Sequence, residues 1–168
     1  VGAVLCADTR KALAAVSRVH RLSYKGTLVG ITGTNGKTTT KELVAKILTA
    51  DGSVVKSEKN YNNEIGVPFT LMGLDNSFDY AVIEMGMNHA GEISRLSAMS
   101  RPDVAVITNA GEGHLEFLGS VENVARAKSE IMESMSAGST IILNEESRCI
   151  GIMKEAARGR NLRIVTFG

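Results

Sequence analysis

One glycine-rich segment of the sequence, from Gly33 to Thr39, combines the residue types that bind phosphate. It follows an apolar run at 27–32 and opens a helical pattern at 38–50. A strand, a glycine-rich turn and a helix in this order direct backbone N–H groups and the positive end of the helix dipole at an anion. Lys37 is suited to bind the outer phosphates of a bound nucleotide, and the Thr38 hydroxyl is suited to bind Mg²⁺. The predicted phosphate-binding loop (P-loop) consists of Gly33, Thr34, Asn35, Gly36, Lys37, Thr38 and Thr39.

The loop departs from the common P-loop pattern at one position. That pattern has a glycine five residues before Gly36, where this sequence has Ile31. A tight turn that happens to contain a lysine is therefore an alternative interpretation. The strand before the loop and the helix after it favour the phosphate site.

Apolar, β-branched runs alternate with helical patterns along the whole chain, which predicts an α/β fold. Strands separated by helices are typical of right-handed crossovers and a parallel sheet. We predict a mostly parallel sheet of about six strands with helices on both faces, similar to P-loop NTPases. The predicted strands are 27–32, 53–57, 80–84, 103–108, 139–143 and 162–167, and the predicted helices are 9–20, 38–50, 67–73, 89–99, 120–136 and 146–158.

Polar residues follow or end four consecutive predicted strands. The P-loop follows the first strand, the asparagine-rich segment 59–68 follows the second, Glu84 ends the third, and the loop containing His114 follows the fourth. The carboxyl ends of parallel strands lie at one edge of the sheet, where open α/β sheets bind ligands. The sequence therefore predicts a single site built from these four segments.

Each of these polar residues also has an ordinary structural interpretation. Glu84 ends an apolar strand and would either bind Mg²⁺ beside the P-loop or reach solvent. A lone loop histidine such as His114 is most often just exposed. Asn60, Asn62 and Asn63 are either turn formers or amides that face a polar substrate.

Lys128 stands at an unexpected place in the predicted helix 120–136. It falls in the middle of the apolar stripe formed by Val121, Val124, Ile131 and Met135. One interpretation is a stem that lies over the core with its amine in water. The other is a buried amine that needs an anion, a metal-bound group or a chemical modification.

Length, net charge and cysteine content limit the number of domains and the kinds of partner that we expect. With 168 residues, of which 43% are hydrophobic, the chain is long enough for one core, so we expect one domain. A net charge of +1 favours neither nucleic acid nor an anionic membrane as a partner. Cys6 and Cys149 match no metal or redox spacing, which indicates reduced thiols and a cytoplasmic location.

Five segments in this order resemble the Mur ligase family of cell-wall synthesis. They are GTNGKTTTKE, NYNNEIGVP, YAVIEMG, TNAGEGHLEFLGS and ARAKSEI. The family has a domain for a UDP-sugar, a central ATPase domain and a C-terminal domain for the incoming amine. By this resemblance, residues 1–26 are a connector helix from a preceding domain, and residues 27–168 are a central ATP-binding domain that is truncated on its C-terminal side.

The resemblance implies a reaction and a role for each site residue. ATP would phosphorylate the carboxylate of a UDP-muramoyl-tripeptide, and the amine of D-alanyl-D-alanine would then displace phosphate from the acyl phosphate in a monomeric enzyme. Lys37 would contact the phosphates, and Asn60, Asn62 and Asn63 would face the muramoyl substrate. The implied Mg²⁺ ligands are Thr38, Glu84, His114 and Lys128, the last as a carbamate.

Three other functions are compatible with parts of the pattern. Folylpolyglutamate synthetase, a related ligase, also uses an acyl phosphate, although NNEIGVP and EMG favour the cell-wall branch. A nucleotide-switch GTPase would need an Asn-Lys-x-Asp segment and an Asp-x-x-Gly segment, and the sequence contains neither. A non-catalytic nucleotide-binding module is the third alternative.

Overall fold

The computed structural model describes residues 5–168 and consists of a parallel sheet with flanking helices. The strands are β1 (Thr27–Thr32), β2 (Val54–Lys56), β3 (Tyr80–Glu84), β4 (Val104–Ile107), β5 (Thr140–Asn144) and β6 (Arg163–Phe167). The helices are α1 (Thr9–Ser23), α2 (Lys37–Leu48), α3 (Gly66–Met72), α4 (Glu92–Ser100), α5 (Leu115–Leu118), α6 (Val121–Ser129) and α7 (Ile150–Arg158). Across residues 5–168, no helix combines the length and apolarity that a membrane span requires.

The six strands pair in the order β2-β3-β1-β4-β5-β6, and every pair is parallel. This confirms the predicted fold class. β1 and β4 are neighbours, although β2 and β3 lie between them in sequence and occupy the opposite side of β1. The strands that follow β1 in sequence therefore lie first on one side of β1 (β2 and β3) and then on the other (β4 to β6). Open parallel sheets form ligand-binding crevices at such a switch point in strand order.

Hydrophobic cores cover both faces of the sheet, as predicted, but they differ in size. On the larger side, Leu28 and Ile83 pack against helices that include α3, α4, α6 and α7. On the smaller side, Val29 and Val82 pack against Ala45 of α2. Adjacent strand residues such as Leu28 and Val29 point to opposite faces, so a strand buried on both faces is apolar throughout.

Several helices differ from the sequence-based prediction: α1 extends to Ser23, α7 begins only at Ile150, and the short helix α5 lies in a segment predicted as a loop. Two further differences have a visible structural cause. The predicted helix 120–136 is α6 followed by a 3₁₀ turn, Glu130–Met132. The predicted helix from residue 89 begins instead at Glu92, because Gly91 has a φ of 83° and precedes it as the N-cap. The Glu130 carboxylate accepts hydrogen bonds from the backbone N–H groups of Gly91 and Ser94, at 2.8 and 3.1 Å. A contact between segments remote in sequence thus stabilises the start of α4. Helical periodicity could not have predicted this start, because the capping carboxylate belongs to another segment.

Helix α1 packs against α3 and α4, and a buried arginine connects it to the sheet. The Arg21 guanidinium donates hydrogen bonds to the carbonyls of Ser100 and Arg101 at 2.7 and 3.0 Å, and to the Asp103 carboxylate at 2.8 Å. The same Asp103 oxygen accepts the N–H of Leu28 in β1 at 2.8 Å. The helix is therefore part of the domain's packing, and its predicted role as a connector from a preceding domain stays a prediction.

Replacing Arg21 with alanine should destabilise the domain substantially. The change removes the donor to the carbonyls of Ser100 and Arg101 and one of the two donors to Asp103, so we expect a loss of about 2–4 kcal/mol in the free energy of unfolding. Urea denaturation followed by circular dichroism measures this loss. Arg18→Ala is the matched control, because Arg18 lies on the same helix, is exposed and forms no hydrogen bond or ion pair within residues 5–168. Equal stabilities of the two variants would contradict the anchoring role of Arg21.

Candidate active site

The P-loop has a backbone conformation that requires its glycines. Gly33 and Gly36 have φ angles of 154° and 79°, which side-chain-bearing residues rarely adopt. A Cβ atom on Gly33 would lie 1.8 Å from Oγ1 of Thr108, so there is no room for a side chain. Helix α2 then begins at Lys37 without a side-chain cap from any described residue. Its first N–H groups are therefore available to an anion such as phosphate.

The loop after β4 holds the P-loop in place. The Asn109 side-chain oxygen accepts the backbone N–H groups of Thr34 and Asn35 at 3.1 and 3.0 Å. The Thr108 hydroxyl donates to the carbonyl of Asn35 at 2.6 Å, and the Thr34 hydroxyl accepts the N–H of Gly111 at 3.0 Å. The sequence analysis did not identify Asn109, because its role depends on the adjacency of β1 and β4. Its position in a polar loop at a strand's carboxyl end was the available signal.

The Lys37 amine lies over the P-loop. Its Nζ donates to the carbonyls of Gly33 and Thr34 at 2.9 and 3.1 Å. Burial lowers the pKa of Lys37, and the negative charge of Glu84 acts in the opposite direction. The lysine is thus held above the loop by neutral carbonyls, and an anion bound there would add a charged partner.

Glu84 connects the P-loop helix with the asparagine-rich segment. This residue is 2% exposed, and its two carboxylate oxygens have different partners. One accepts the Thr38 hydroxyl at 3.0 Å, and the other accepts the Asn62 side-chain amide at 2.9 Å. The structure therefore brings together three predicted site residues and rules out a Glu84 side chain that simply reaches solvent.

Lys41 is a site residue that the sequence analysis missed. It is 1% exposed, and its Nζ lies 3.7 Å from the Glu84 carboxylate and 3.4 Å from the carbonyl of Lys59. An ionised Glu84 requires such a positive neighbour, because an unpaired buried charge is costly. The signal was available in the sequence: Lys41 falls on the same helical stripe as Ala45, which packs in the core.

A polar cleft of about 250 Å³ lies beside this group of residues. Its walls include Lys37, His114, Asn62 and Asn63. Asn63 also caps α3, because its side-chain oxygen accepts the N–H groups of Ile65 and Gly66. Asn60 is exposed and is not among the residues that line the cleft, so its side chain lies outside this group.

Lys128 is buried rather than snorkelling, since only 1% of the residue is exposed. Its amine forms no hydrogen bond or ion pair with any residue in the described range 5–168. Burial, and secondarily the charge of Lys37, lower the pKa of Lys128 to about 7. Burial also lowers the pKa of His114, and the charges of Lys128 and Lys37 lower it further. These three basic groups are therefore close enough to influence one another, and they would all benefit from an anion.

The donor set is suited to Mg²⁺ bound together with a nucleotide. Within residues 5–168, no cluster of at least three His, Cys, Asp or Glu side chains forms a complete metal site. Thr38 and Glu84 nevertheless offer hard oxygen atoms that are already in contact, at 3.0 Å, directly beside the P-loop. Magnesium typically takes only one or two protein ligands, with phosphate and water oxygens as the others, so these residues fit the ion.

Comparisons with known proteins agree with this geometry. Residues 31–168 match the family model of the Mur ligase middle domain. The chain is 39% identical over its whole length to a UDP-N-acetylmuramoyl-tripeptide–D-alanyl-D-alanine ligase from Synechocystis, and it spans 37% of that relative. It also superimposes on a solved MurF ligase from Thermotoga maritima in complex with ADP, with a TM-score of 0.88 and 32% identity over 98% of the chain and 38% of the neighbour.

A second solved structure names the peptide of its substrate. It is the UDP-N-acetylmuramoylalanyl-D-glutamyl-2,6-diaminopimelate–D-alanyl-D-alanyl ligase from Acinetobacter baumannii, with a TM-score of 0.91 and 35% identity over 98% of this chain and 36% of the neighbour. Escherichia coli FolC is similar only in fold, at 17% identity and a TM-score of 0.70. The match to the family model and the parallel sheet with its P-loop lead to one conclusion: the chain belongs to the Mur ligase family and contains its middle domain.

Proposed function

We propose that this chain is the ATP-binding part of an amide ligase that adds D-alanyl-D-alanine to a UDP-N-acetylmuramoyl-tripeptide through an acyl phosphate. The observation that carries the proposal is the contact of Thr38 with Glu84 beside the P-loop, together with the Lys37–His114 cleft next to it. The names of the Synechocystis and Acinetobacter relatives support the choice of substrates. The chain spans only about a third of these relatives, so further domains are needed to position the acceptor.

The reaction brings two anions together, because a carboxylate must approach the triphosphate of ATP. Lys37 supplies positive charge at the outer phosphates. Thr38 and Glu84 would hold Mg²⁺, and the ion would supply charge neutralisation for phosphoryl transfer. His114 would offer a nitrogen ligand for a second Mg²⁺, and burial, which lowers its pKa, favours the neutral ring that such a ligand needs. Asn62 and Asn63 present amides to the muramoyl substrate, with Asn60 further out on the same segment.

Lys128 provides the remaining ligand after modification. Its neutral amine adds to CO₂, which forms an N–C bond and releases one proton, and the product is an anionic carbamate. Burial favours the neutral amine that this addition needs. The carbamate brings negative charge next to Lys37 and His114 and offers hard oxygen ligands for the second Mg²⁺.

The ligation reaction itself tests the proposal. The full-length protein should convert UDP-N-acetylmuramoyl-tripeptide, ATP and D-alanyl-D-alanine into amide product, ADP and phosphate, measured by mass spectrometry and phosphate release. The isolated 168-residue chain should form no amide above a no-enzyme control, because positioning of the acceptor amine supplies much of the catalysis. Turnover of a folate substrate with glutamate instead of the muramoyl substrate would identify a folylpolyglutamate synthetase and contradict the proposal.

Nucleotide binding should depend on Lys37. The Lys37→Ala variant loses the cation at the outer phosphates, so we expect the binding of ATP·Mg²⁺ to weaken by about 1–3 kcal/mol in calorimetry. Lys46→Ala is the matched control, because Lys46 is an exposed lysine near the far end of the same helix. Equal affinities of wild type and Lys37→Ala would exclude this loop as the phosphate site.

Ligation should also depend on the Lys128 carbamate. Lys128→Ala in the full-length protein should abolish product formation, and added acetate or another short carboxylic acid should restore part of it by supplying an anion at the vacated place. Lys154→Ala, which removes only the ion pair between α7 and Glu145, should leave the rate unchanged. A fully active Lys128→Ala variant would contradict the proposed metal ligand, as would an unmodified amine in electron density obtained with bicarbonate, Mg²⁺ and an ATP analogue.

A further inference from the structure

Lys41 and Thr38 approach the same oxygen atom of the Glu84 carboxylate. The Thr38 hydroxyl donates to Oε2 of Glu84 at 3.0 Å, and Nζ of Lys41 lies 3.7 Å from that atom. The Asn62 amide donates to the other oxygen, Oε1, at 2.9 Å. The carboxylate oxygen next to the Thr38 hydroxyl, where the two could share Mg²⁺, therefore already has an ammonium group as its neighbour.

The ion pair between Lys41 and Glu84 is shielded from water. The two residues are 1% and 2% exposed, respectively. Charges at such a place are screened much less than charges at the surface, so their attraction and repulsion are stronger there. The ammonium of Lys41 balances the buried carboxylate in the nucleotide-free protein. A divalent cation that binds the same carboxylate is repelled by this ammonium.

Lys41 has two further acceptors, which hold its amine close to Glu84 whichever cation the carboxylate binds. Its Nζ lies 3.4 Å from Oε1 of Glu42 and 3.4 Å from the carbonyl oxygen of Lys59. The other oxygen of Glu42 forms an ion pair with Lys56. Because its remaining partners lie on the helix and on the asparagine-rich loop, Lys41 keeps its place when Glu84 turns to a metal ion.

A second lysine adds positive charge to the same part of the site. Lys37 is the first residue of α2, and its amine donates to the carbonyls of Gly33 and Thr34 in the P-loop. Mg²⁺ alone would add two positive charges to this region, in which the buried carboxylate is already balanced. The triphosphate of ATP brings the negative charge that offsets both the ion and the lysines.

We propose that Lys41 is a positioning residue that makes metal binding at Glu84 depend on the nucleotide. In the nucleotide-free protein, its ammonium holds the Glu84 carboxylate in place and disfavours a divalent cation there. When ATP is bound, its phosphates offset the repulsion, so the metal ion and the nucleotide bind together. The inference rests on the metal-binding role of Glu84 in the proposed function and adds the condition under which the metal ion binds.

Metal binding without nucleotide tests this role in the full-length protein. Mn²⁺ takes the same hard oxygen ligands as Mg²⁺, and the electron paramagnetic resonance of the free ion measures how much is bound. Lys41→Met keeps an unbranched side chain and removes the charge, so we expect Mn²⁺ to bind about 10-fold more tightly than to the wild type, or tighter still. Lys41→Arg keeps the charge and should retain the wild-type affinity.

Thermal unfolding provides a second measurement that does not depend on activity. Lys41→Met leaves a buried carboxylate without its cation, so its Tm in EDTA should lie below that of the wild type and should recover when Mn²⁺ is added without nucleotide. Lys46→Met is the matched control, because Lys46 is an exposed lysine of the same helix, and it should show neither effect. If Lys41→Met does not fold in EDTA, Lys41→Gln, which is neutral but keeps a donor for Glu84, replaces it in both measurements.

A double variant identifies the carboxylate at which the ion binds. Adding Glu84→Gln to Lys41→Met removes the negative charge as well, so the gain in Mn²⁺ affinity should disappear. A gain that persists in the double variant would overturn the inference, because the ion would then bind elsewhere. Equal Mn²⁺ affinities of the wild type and the neutral Lys41 variants would overturn it too.

Binding of Mn²⁺ in the presence of ATP separates this inference from the function on which it rests. ATP should raise the affinity of the wild type for Mn²⁺, and Glu84→Gln should weaken this binding. If Glu84→Gln leaves it unchanged, the metal-binding role of Glu84 in the proposed function fails, and the inference fails with it. If Glu84→Gln weakens it while Lys41→Met binds Mn²⁺ without nucleotide no better than the wild type does, the inference alone fails.

Discussion

The candidate site depends on one buried carboxylate. Glu84 ends a central strand of the sheet and is shielded from water, so its charge must be balanced by neighbouring groups. Those neighbours come from two separate segments, since Thr38 and Lys41 belong to α2 and Asn62 belongs to the asparagine-rich loop. The need to satisfy Glu84 therefore fixes the P-loop helix and the asparagine-rich loop relative to each other. In the proposed function, the same oxygen atoms would bind Mg²⁺ together with the nucleotide.

On the other side of β1, the structure has an excess of positive charge. Lys37, Lys128 and His114 influence one another, and the pKa of each is lowered, chiefly through burial. Such a group of bases is poorly compensated by the described residues alone. Phosphate, a substrate carboxylate and a lysine carbamate are all anions, and each would relieve part of this repulsion. The buried carboxylate of Glu84 and the three bases, of which Lys128 is fully buried, thus give the site its polarity.

The fold class, and the placement of several predicted site residues at one edge of the sheet, were accessible from the sequence because they depend on local patterns. Alternating strand and helix periodicities predicted the six strands, and β–loop–helix order predicted the P-loop. Helical spacing alone predicted that Lys128 faces the core, and it is buried. The same stripe argument applies to Lys41, whose burial was overlooked although the pattern contained it. The boundaries of α4 and α6 were missed because they depend on a 3₁₀ turn and on a capping carboxylate from another segment.

The sequence by itself therefore determined the order of elements, the residue types at the carboxyl ends of the strands and the family to which they point. Only the tertiary structure decided which of these residues touch. Strand order places Thr108 and Asn109 against the P-loop, although about 75 residues separate them in sequence. It likewise places Arg10 and Glu92 on the wall of one cavity. Periodicity reports only whether a side chain faces inwards, whereas contacts between distant segments depend on sheet topology and packing, which no local pattern encodes.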